Sequence, residues 1–135
     1  MQMKLVRKQF VDSLDFLKFA KKIIKLSPVE EIDYRQAVSR SYYCAFHQVK
    51  NKASSLGIPV DAYKGGTHSS LRQTLVELRP ANNKLKGLAF KLNNFHILRV
   101  TADYQLDAVV TDKTANESIQ MCEKIISDLA AVTKL

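Results

Sequence analysis

Glycine and proline are scarce in this chain, and their positions set its layout. Four glycines and three prolines occur among 135 residues, clustered between stretches whose apolar residues recur at helical spacing. From Val11 to Leu26, Leu14, Leu17 and Ile24 repeat in that way amid Lys18, Lys21, Lys22 and Lys25, and Ser27-Pro28 stops the helix. A long second helix is predicted from about Val29 to Leu56, ending before Gly57 and Pro59. GIPVDAYKGG reads as a loop. A third helix follows from His68 to Leu78, begun by Thr67 or His68 and closed by Arg79-Pro80, and a fourth covers about Asn83 to Tyr104. QLDAVVTDK is a connector in which Ala108 to Thr111 could form a short extended piece. Thr114 to Val132 is amphipathic, with Ile119, Cys122, Ile125, Ile126 and Leu129 on its apolar side. Five helices joined by short loops predict an all-α antiparallel helical bundle. With no internal repeat, low-complexity segment or dividing linker, a single domain over residues 1–135 is expected.

Composition narrows the setting. Hydrophobic residues at 46% and charged residues at 25% belong to a soluble globular chain with one sizeable core. No apolar run is long enough to span a membrane. The N-terminal MQMKLVRKQF is basic but lacks the apolar region of a secretory signal. Two cysteines, Cys44 and Cys122, inside helical patterns favour free thiols in a reducing cytoplasm. No metal site is predicted, because neither the cysteines nor His47, His68 and His96 stand at ligand spacing. No cofactor is expected. A formal net charge of +8 favours polyanionic partners, nucleic acid or an acidic protein, and is equally compatible with a plain solubility role.

The stretch SRSYYCAFH, Ser39 to His47, is unusual for a helix surface. Projected at about 100° per residue, Tyr34, Val38, Tyr42, Ala45, Val49 and Ala53 form a core stripe. Gln36, Arg40, Tyr43, His47 and Lys50 fall on the other side, with Phe46 between. Arg40 and His47 stack on one face, roughly 10 Å apart along the axis. One reading is a second packing surface on a central helix. The other is a site: arginine grips phosphate in a bidentate fork, and histidine moves protons near neutral pH, a pair suited to phosphodiester chemistry. Cleavage by a 2′-hydroxyl needs both a proton acceptor and a proton donor. A two-fold dimer on this face would bring two copies of Arg40 and His47 together, with the aromatics supplying buried area.

RSYYCAFH resembles the R-x(4–6)-H signature of HEPN domains, and the R-x-Y-Y-A-x-F-H form of small prokaryotic ones. THSSL, Thr67 to Leu71, is similar to a His-containing segment that opens their next helix. LRVTADY, Leu98 to Tyr104, resembles their late R-x-x-A-D-Y segment. The resemblance implies an all-α, usually dimeric bundle, and a metal-independent endoribonuclease acting as a toxin or phage-defence effector, with RNA as substrate and an antitoxin or other regulatory protein as possible partner. It implies that Arg40 holds the scissile phosphate and His47 is the acid/base. Tyr43, Lys50 and Arg99 are then candidate substrate contacts, with Asp103 and Tyr104 behind them. In one branch the histidine is followed by x-Tyr, the target of a nucleotidyltransferase antitoxin. Gln48 and Val49 stand here instead, which argues against that regulation. Two other functions fit the same residues: a non-catalytic module binding nucleic acid or a nucleotide, and a regulatory dimer binding an acidic protein.

The remaining candidates have plain readings too. His68 is expected to cap the third helix. Lys64 and Gly65-Gly66 offer backbone amides near a helix N-terminus as a phosphate contact, without a P-loop pattern. Leu85, Leu88, Ala89 and Leu92 mark a core stripe that His96, Arg99 and Asp103 continue. Arg99 and Asp103 stand at i, i+4 and either orient one end of the bundle or support Arg40 and His47. His96 reads as a satisfied, partly buried histidine. The lysines of the first helix are a solvated face or a track for an RNA backbone.

Overall fold

Asp12 opens the first helix. Its carboxylate accepts the Leu14 N–H at 2.9 Å, while Asp15 accepts the Asp12 N–H at 2.9 Å, a reciprocal cap. Helix α1 spans Ser13–Ile23, shorter than predicted, because Lys25 and Leu26 bond back to Lys22 and Ile23 in tight turns. The computed structural model describes residues 11–133, and the basic MQMKLVRKQF stretch lies outside the described residues.

Helix α2 spans Glu31–Ser55, and Asp33 accepts the Glu30 N–H at 2.8 Å ahead of it. Its end is set by Gly57, whose φ of 79° lets the Ile58 N–H return to the Ala53 carbonyl at 3.0 Å. That closure satisfies a terminal carbonyl and tucks Ile58 into the core. Helix α3, Thr67–Val76, begins after Gly66, another positive-φ residue. Helix α4, Asn83–Tyr104, is capped by the Asn82 side chain on the Leu85 N–H, and helix α5, Asp112–Ala130, by Thr111 on the Thr114 N–H. Gly87 is the glycine that does not punctuate; it lies inside α4.

The predicted all-α bundle is what forms. α2 packs against α1, α4 and α5, and α3 against α4. Contacts run in opposite directions along neighbours. Ser13 meets Gln48 while Phe16 meets Tyr43, and Arg35 meets Ala102 while Tyr42 meets Phe95. Lys84 reaches Ala131 while Lys91 reaches Asp128. α2 is therefore antiparallel to both α1 and α4, and α4 to α5. One apolar cluster draws on all five helices, including Leu17, Val49, Leu71, Leu92, Phe95 and Ile125. Each such side chain contributes about 1.5–3 kcal/mol through burial. Cys44 and Cys122 are buried free thiols facing one another from α2 and α5.

The extended piece expected at Ala108 to Thr111 does not form a strand, and among the described residues there is no strand at all. A side chain has replaced a ladder partner: Glu31 Oε2 accepts the Val110 N–H at 2.9 Å. Its neighbour Arg35 is buried and caps the end of α4, donating to the carbonyls of Ala102 at 3.0 Å, Gln105 at 3.1 Å and Ala108. Among the described residues no helix is long and apolar enough to cross a membrane.

Candidate active site

The long α2 helix presents Arg40 and His47 on one face, and both lie against the same two rings. The Arg40 guanidinium carbon stands 5.0 Å from the Tyr43 centroid and 5.6 Å from that of Phe16. His47 stacks on Phe16, centroids 5.8 Å apart and planes within 13°, and on Tyr43 at 6.5 Å. Phe16 belongs to α1, which Gln48 anchors through a 2.6 Å hydrogen bond to Ser13 Oγ. The face read as opposite the core is thus half-buried within its own chain. Val11, Ser13, Phe16, His47 and Asn51 line a cleft of about 250 Å³ that leaves part of the imidazole accessible.

Arg99 and Asp103 pair, Nε to Oδ2 at 2.9 Å, as their spacing predicts. They do more than orient the bundle. Asp103 accepts from Ser39 Oγ at 3.0 Å, and Ser39 Oγ accepts from Arg40 Nη2 at 3.0 Å. Arg99 donates through Nη2 to the Tyr43 hydroxyl and holds its guanidinium carbon 5.0 Å from that ring. Tyr43 is thereby flanked by two guanidinium groups, each attracted to the ring's negative faces. Arg40 Nε is buried and has no partner among the described residues. Tyr104 is 69% exposed and, among the described residues, meets the site through Arg99, at 5.6 Å. Lys50 is half-buried near His47 and acts on it through charge.

His68 does not cap α3. Gly66 occupies the cap position, and His68 turns inward, its Nδ1 2.6 Å from the Tyr42 hydroxyl and its ring 4.1 Å from that of Phe46. His96 lies 5.5 Å from His68, ring to ring, and 5.5 Å from Tyr42. It is partly buried as expected, but its Nδ1 has no partner among the described residues, so it is not the satisfied histidine the sequence suggested. Arg72, one turn beyond His68 on α3, acts on Tyr42, His68 and His96. No local pattern places Phe16, Ser39 or Arg72 here; only the i, i+4 spacing of His68 and Arg72 hints at a shared face.

The electrostatics follow from burial among cations. Desolvation lowers the His47 pKa, and Lys50 lowers it further. Desolvation, then His96, Arg99, Arg72 and His47, push His68 down to about 4. His96 is lowered by desolvation and by Arg72 and Arg99. Burial pushes the Tyr42 hydroxyl up to about 12, against the pull of Arg72 and Arg99. At neutral pH the Tyr42–His68 bond therefore joins two neutral groups.

The HEPN domain family model matches residues 13–132, a span that takes in all five helices. The chain belongs to the HEPN family. HEPN domains are associated in general with ribonuclease and nucleotide-binding functions, and they often dimerise. No curated protein and no solved structure matches the chain. In this HEPN domain the Arg40-x(6)-His47 segment on α2 meets His68 of THSSL and Arg99 and Asp103 of LRVTADY. Three segments far apart in the chain supply one cluster. Among its described residues no group of three or more His, Cys, Asp or Glu could hold a metal ion.

Proposed function

We propose that this HEPN domain is a metal-independent endoribonuclease whose Arg40 and His47, one pair from each of two chains, form a composite site in a homodimer. The observation that carries this reading is the state of the pair: an Arg40 with an unsatisfied buried Nε beside a neutral, partly accessible His47. Arg40 spends one donor on protein, Nη2 to Ser39, which leaves its guanidinium with further N–H groups for a phosphodiester, and its charge does not titrate away. A neutral imidazole accepts a proton. His47 removes the proton of the RNA 2′-hydroxyl, the 2′-oxygen attacks phosphorus, and the bond from phosphorus to the 5′-oxygen breaks. The His47 of the second copy, protonated once the phosphate is bound beside it, gives its proton to that leaving oxygen. The products are a 2′,3′-cyclic phosphate and a 5′-hydroxyl. Arg40 holds the phosphate as charge builds on its free oxygens, while Tyr43, Lys50 and Arg99 add contacts and Asp103 fixes Arg99 and, through Ser39, Arg40. In a cell, such an activity would serve as a toxin or phage-defence effector held in check by a regulatory partner.

A second reading has its own observation. Among the described residues His47 is oriented by ring stacking and by no hydrogen bond, whereas a catalytic imidazole is usually held by a partner on its other nitrogen. That favours a non-catalytic module binding RNA or a nucleotide through the same cleft. Incubation of mixed RNA in EDTA with the wild type, Arg40→Ala and His47→Ala separates the two. Cleavage that yields cyclic-phosphate ends and disappears in both variants supports the ribonuclease. Tight RNA binding without cleavage by the wild type transfers the assignment to the binding module.

A further inference from the structure

Between α3 and α4, beside the histidine cluster, runs a groove of about 250 Å³ lined by Ser69, Arg72, Gln73, Val76, Phe90 and Asn93. Its wall carries an aromatic ring in water: Phe90 is 57% exposed. Gln73 and Asn93 are exposed as well, and each offers both a donor and an acceptor. Arg72 lines it too and is the same residue whose charge reaches Tyr42, His68 and His96. From there the cluster is continuous. His68 meets Tyr43 at 5.9 Å and Phe46 at 4.1 Å, and Phe46 meets His47 at 5.2 Å. Along this line stand Arg72, Arg99, Arg40 and Lys50, with Asp103 as the carboxylate bonded into it. A chain of cations that opens into a groove holding an exposed ring and two amides fits a single nucleic-acid strand. The charges follow its phosphates and the ring offers a stacking face for an unpaired base.

We infer that the α3–α4 groove is a nucleotide subsite, in which a base next to the phosphate held at Arg40 and His47 stacks on Phe90 while its edge meets Gln73 and Asn93, and Arg72 holds the intervening phosphate. The inference rests on the nucleic-acid reading of the Arg40–His47 cleft and extends it to an adjoining position. It also explains why α4 carries Phe90 outward when its inward face is already filled by Leu85, Leu88, Ala89 and Leu92.

The test measures binding of a short fluorescent single-stranded RNA carrying 2′-O-methyl groups, which cannot be cleaved, and of a nucleoside 3′-monophosphate. Phe90→Ala should weaken the oligonucleotide roughly 5- to 150-fold, the range expected for one lost base stack. The mononucleotide, which needs only the phosphate cleft, should bind unchanged, and Phe90→Trp should restore the oligonucleotide. Arg72→Gln should reduce the slope of log affinity against log salt by about 0.7, one phosphate contact on a single strand. Circular dichroism and sedimentation of each variant should match the wild type. Wild-type binding of the oligonucleotide with undiminished binding by Phe90→Ala overturns the subsite and leaves the ribonuclease reading standing. A Phe90→Ala protein that sediments as a smaller species also overturns it, and assigns the ring to contact between copies. No RNA binding by the wild type refutes the nucleic-acid reading, and the subsite with it.

Discussion

Arg35 and Arg40 stand on one helix five positions apart, and the structure uses them in opposite ways. Arg35 is 4% exposed and spends its donors on protein: Ala102, Gln105, Ala108, a longer 3.4 Å bond to Thr101, and Glu31 at 3.3 Å. Arg35→Met keeps much of the side-chain volume and removes every donor. The carbonyls at the end of α4 then lose their partners, at about 1–3 kcal/mol for each one that water cannot reach. Glu31 keeps Val110 and is largely solvated, so its share is small. The sum expected is about 3–5 kcal/mol, in the range measured when one member of a buried polar pair is deleted. An unfolding entropy of about 2.1 cal/mol/K per residue over this chain makes that a fall in Tm of roughly 10–18 °C.

Arg40→Met should behave differently. It loses one hydrogen bond to Ser39 and two ring contacts worth about 0.5–1 kcal/mol each, and it relieves a buried Nε that has no partner. The net change expected is under about 1 kcal/mol, less than about 4 °C, with RNA binding and any cleavage abolished. Thermal melts followed by far-UV circular dichroism, beside the RNA assay, check both. An Arg40→Met protein that melts as early as Arg35→Met would make Arg40 a structural group and remove the basis for the proposed site. An Arg35→Met protein with wild-type stability would refute the carbonyl-cap argument.

Three further outcomes are expected. Because His68 is held at about 4 and His47 and His96 also lie below 6.5, the unfolded chain binds more protons between those values. Stability should therefore be full above pH 6.5 and decline toward pH 4, and His68→Gln should flatten the decline in melts taken across that window. Asp103→Asn should cost about 1–2 kcal/mol, and a double-mutant cycle with Arg99→Gln should show losses that are less than additive; strictly additive losses would mean the two do not share a bond. Lys50→Gln should raise the His47 pKa in an NMR titration, since Lys50 is the charge that lowers it; an unmoved titration would leave burial as the sole cause.

The legible parts of this fold were those governed by local rules. α1 and α5 are amphipathic with one partnered face, and their apolar spacing located them to within a few residues. α2 was harder, because a helix packed by α1, α4 and α5 has little free surface; Tyr43 and His47, read as outward, are half-buried under Phe16. Arg35 carried no signal in the sequence. Nothing local says that its guanidinium reaches the end of a helix some seventy residues later. The Val-Val-Thr run suggested extended chain by β-propensity, and a single side chain, Glu31, took the N–H that a strand would have used. The histidines illustrate the same limit. Their separations exclude a local motif, yet α2, α3 and α4 bring His47, His68 and His96 into one cluster, a fact of helix packing that no spacing encodes.

That cluster has a consequence for binding. Arg40, Arg72, Arg99 and Lys50 face it from α2, α3 and α4, and Asp103 is the carboxylate bonded into it, so its positive charge is incompletely balanced. Burial first, and then these charges, lower the imidazole pKa values, and the imidazoles answer by staying neutral. A phosphate seated among the arginines weakens the positive field at each ring. The pKa values must then rise, and binding must draw protons from solvent wherever the bound values cross the ambient pH. In the proposed ribonuclease this change would turn His47 from a proton acceptor into a proton donor, as the two halves of phosphodiester cleavage require. Calorimetry of uncleavable RNA binding at pH 6.5, in two buffers of different ionisation enthalpy, measures the uptake directly. The expected result is a buffer-dependent enthalpy whose slope gives net proton uptake, reduced in His68→Gln and reduced again when His47→Gln is added. Equal enthalpies in the two buffers would show that the phosphate does not enter the field of these arginines, and the assignment of the cluster to the binding of RNA would fail.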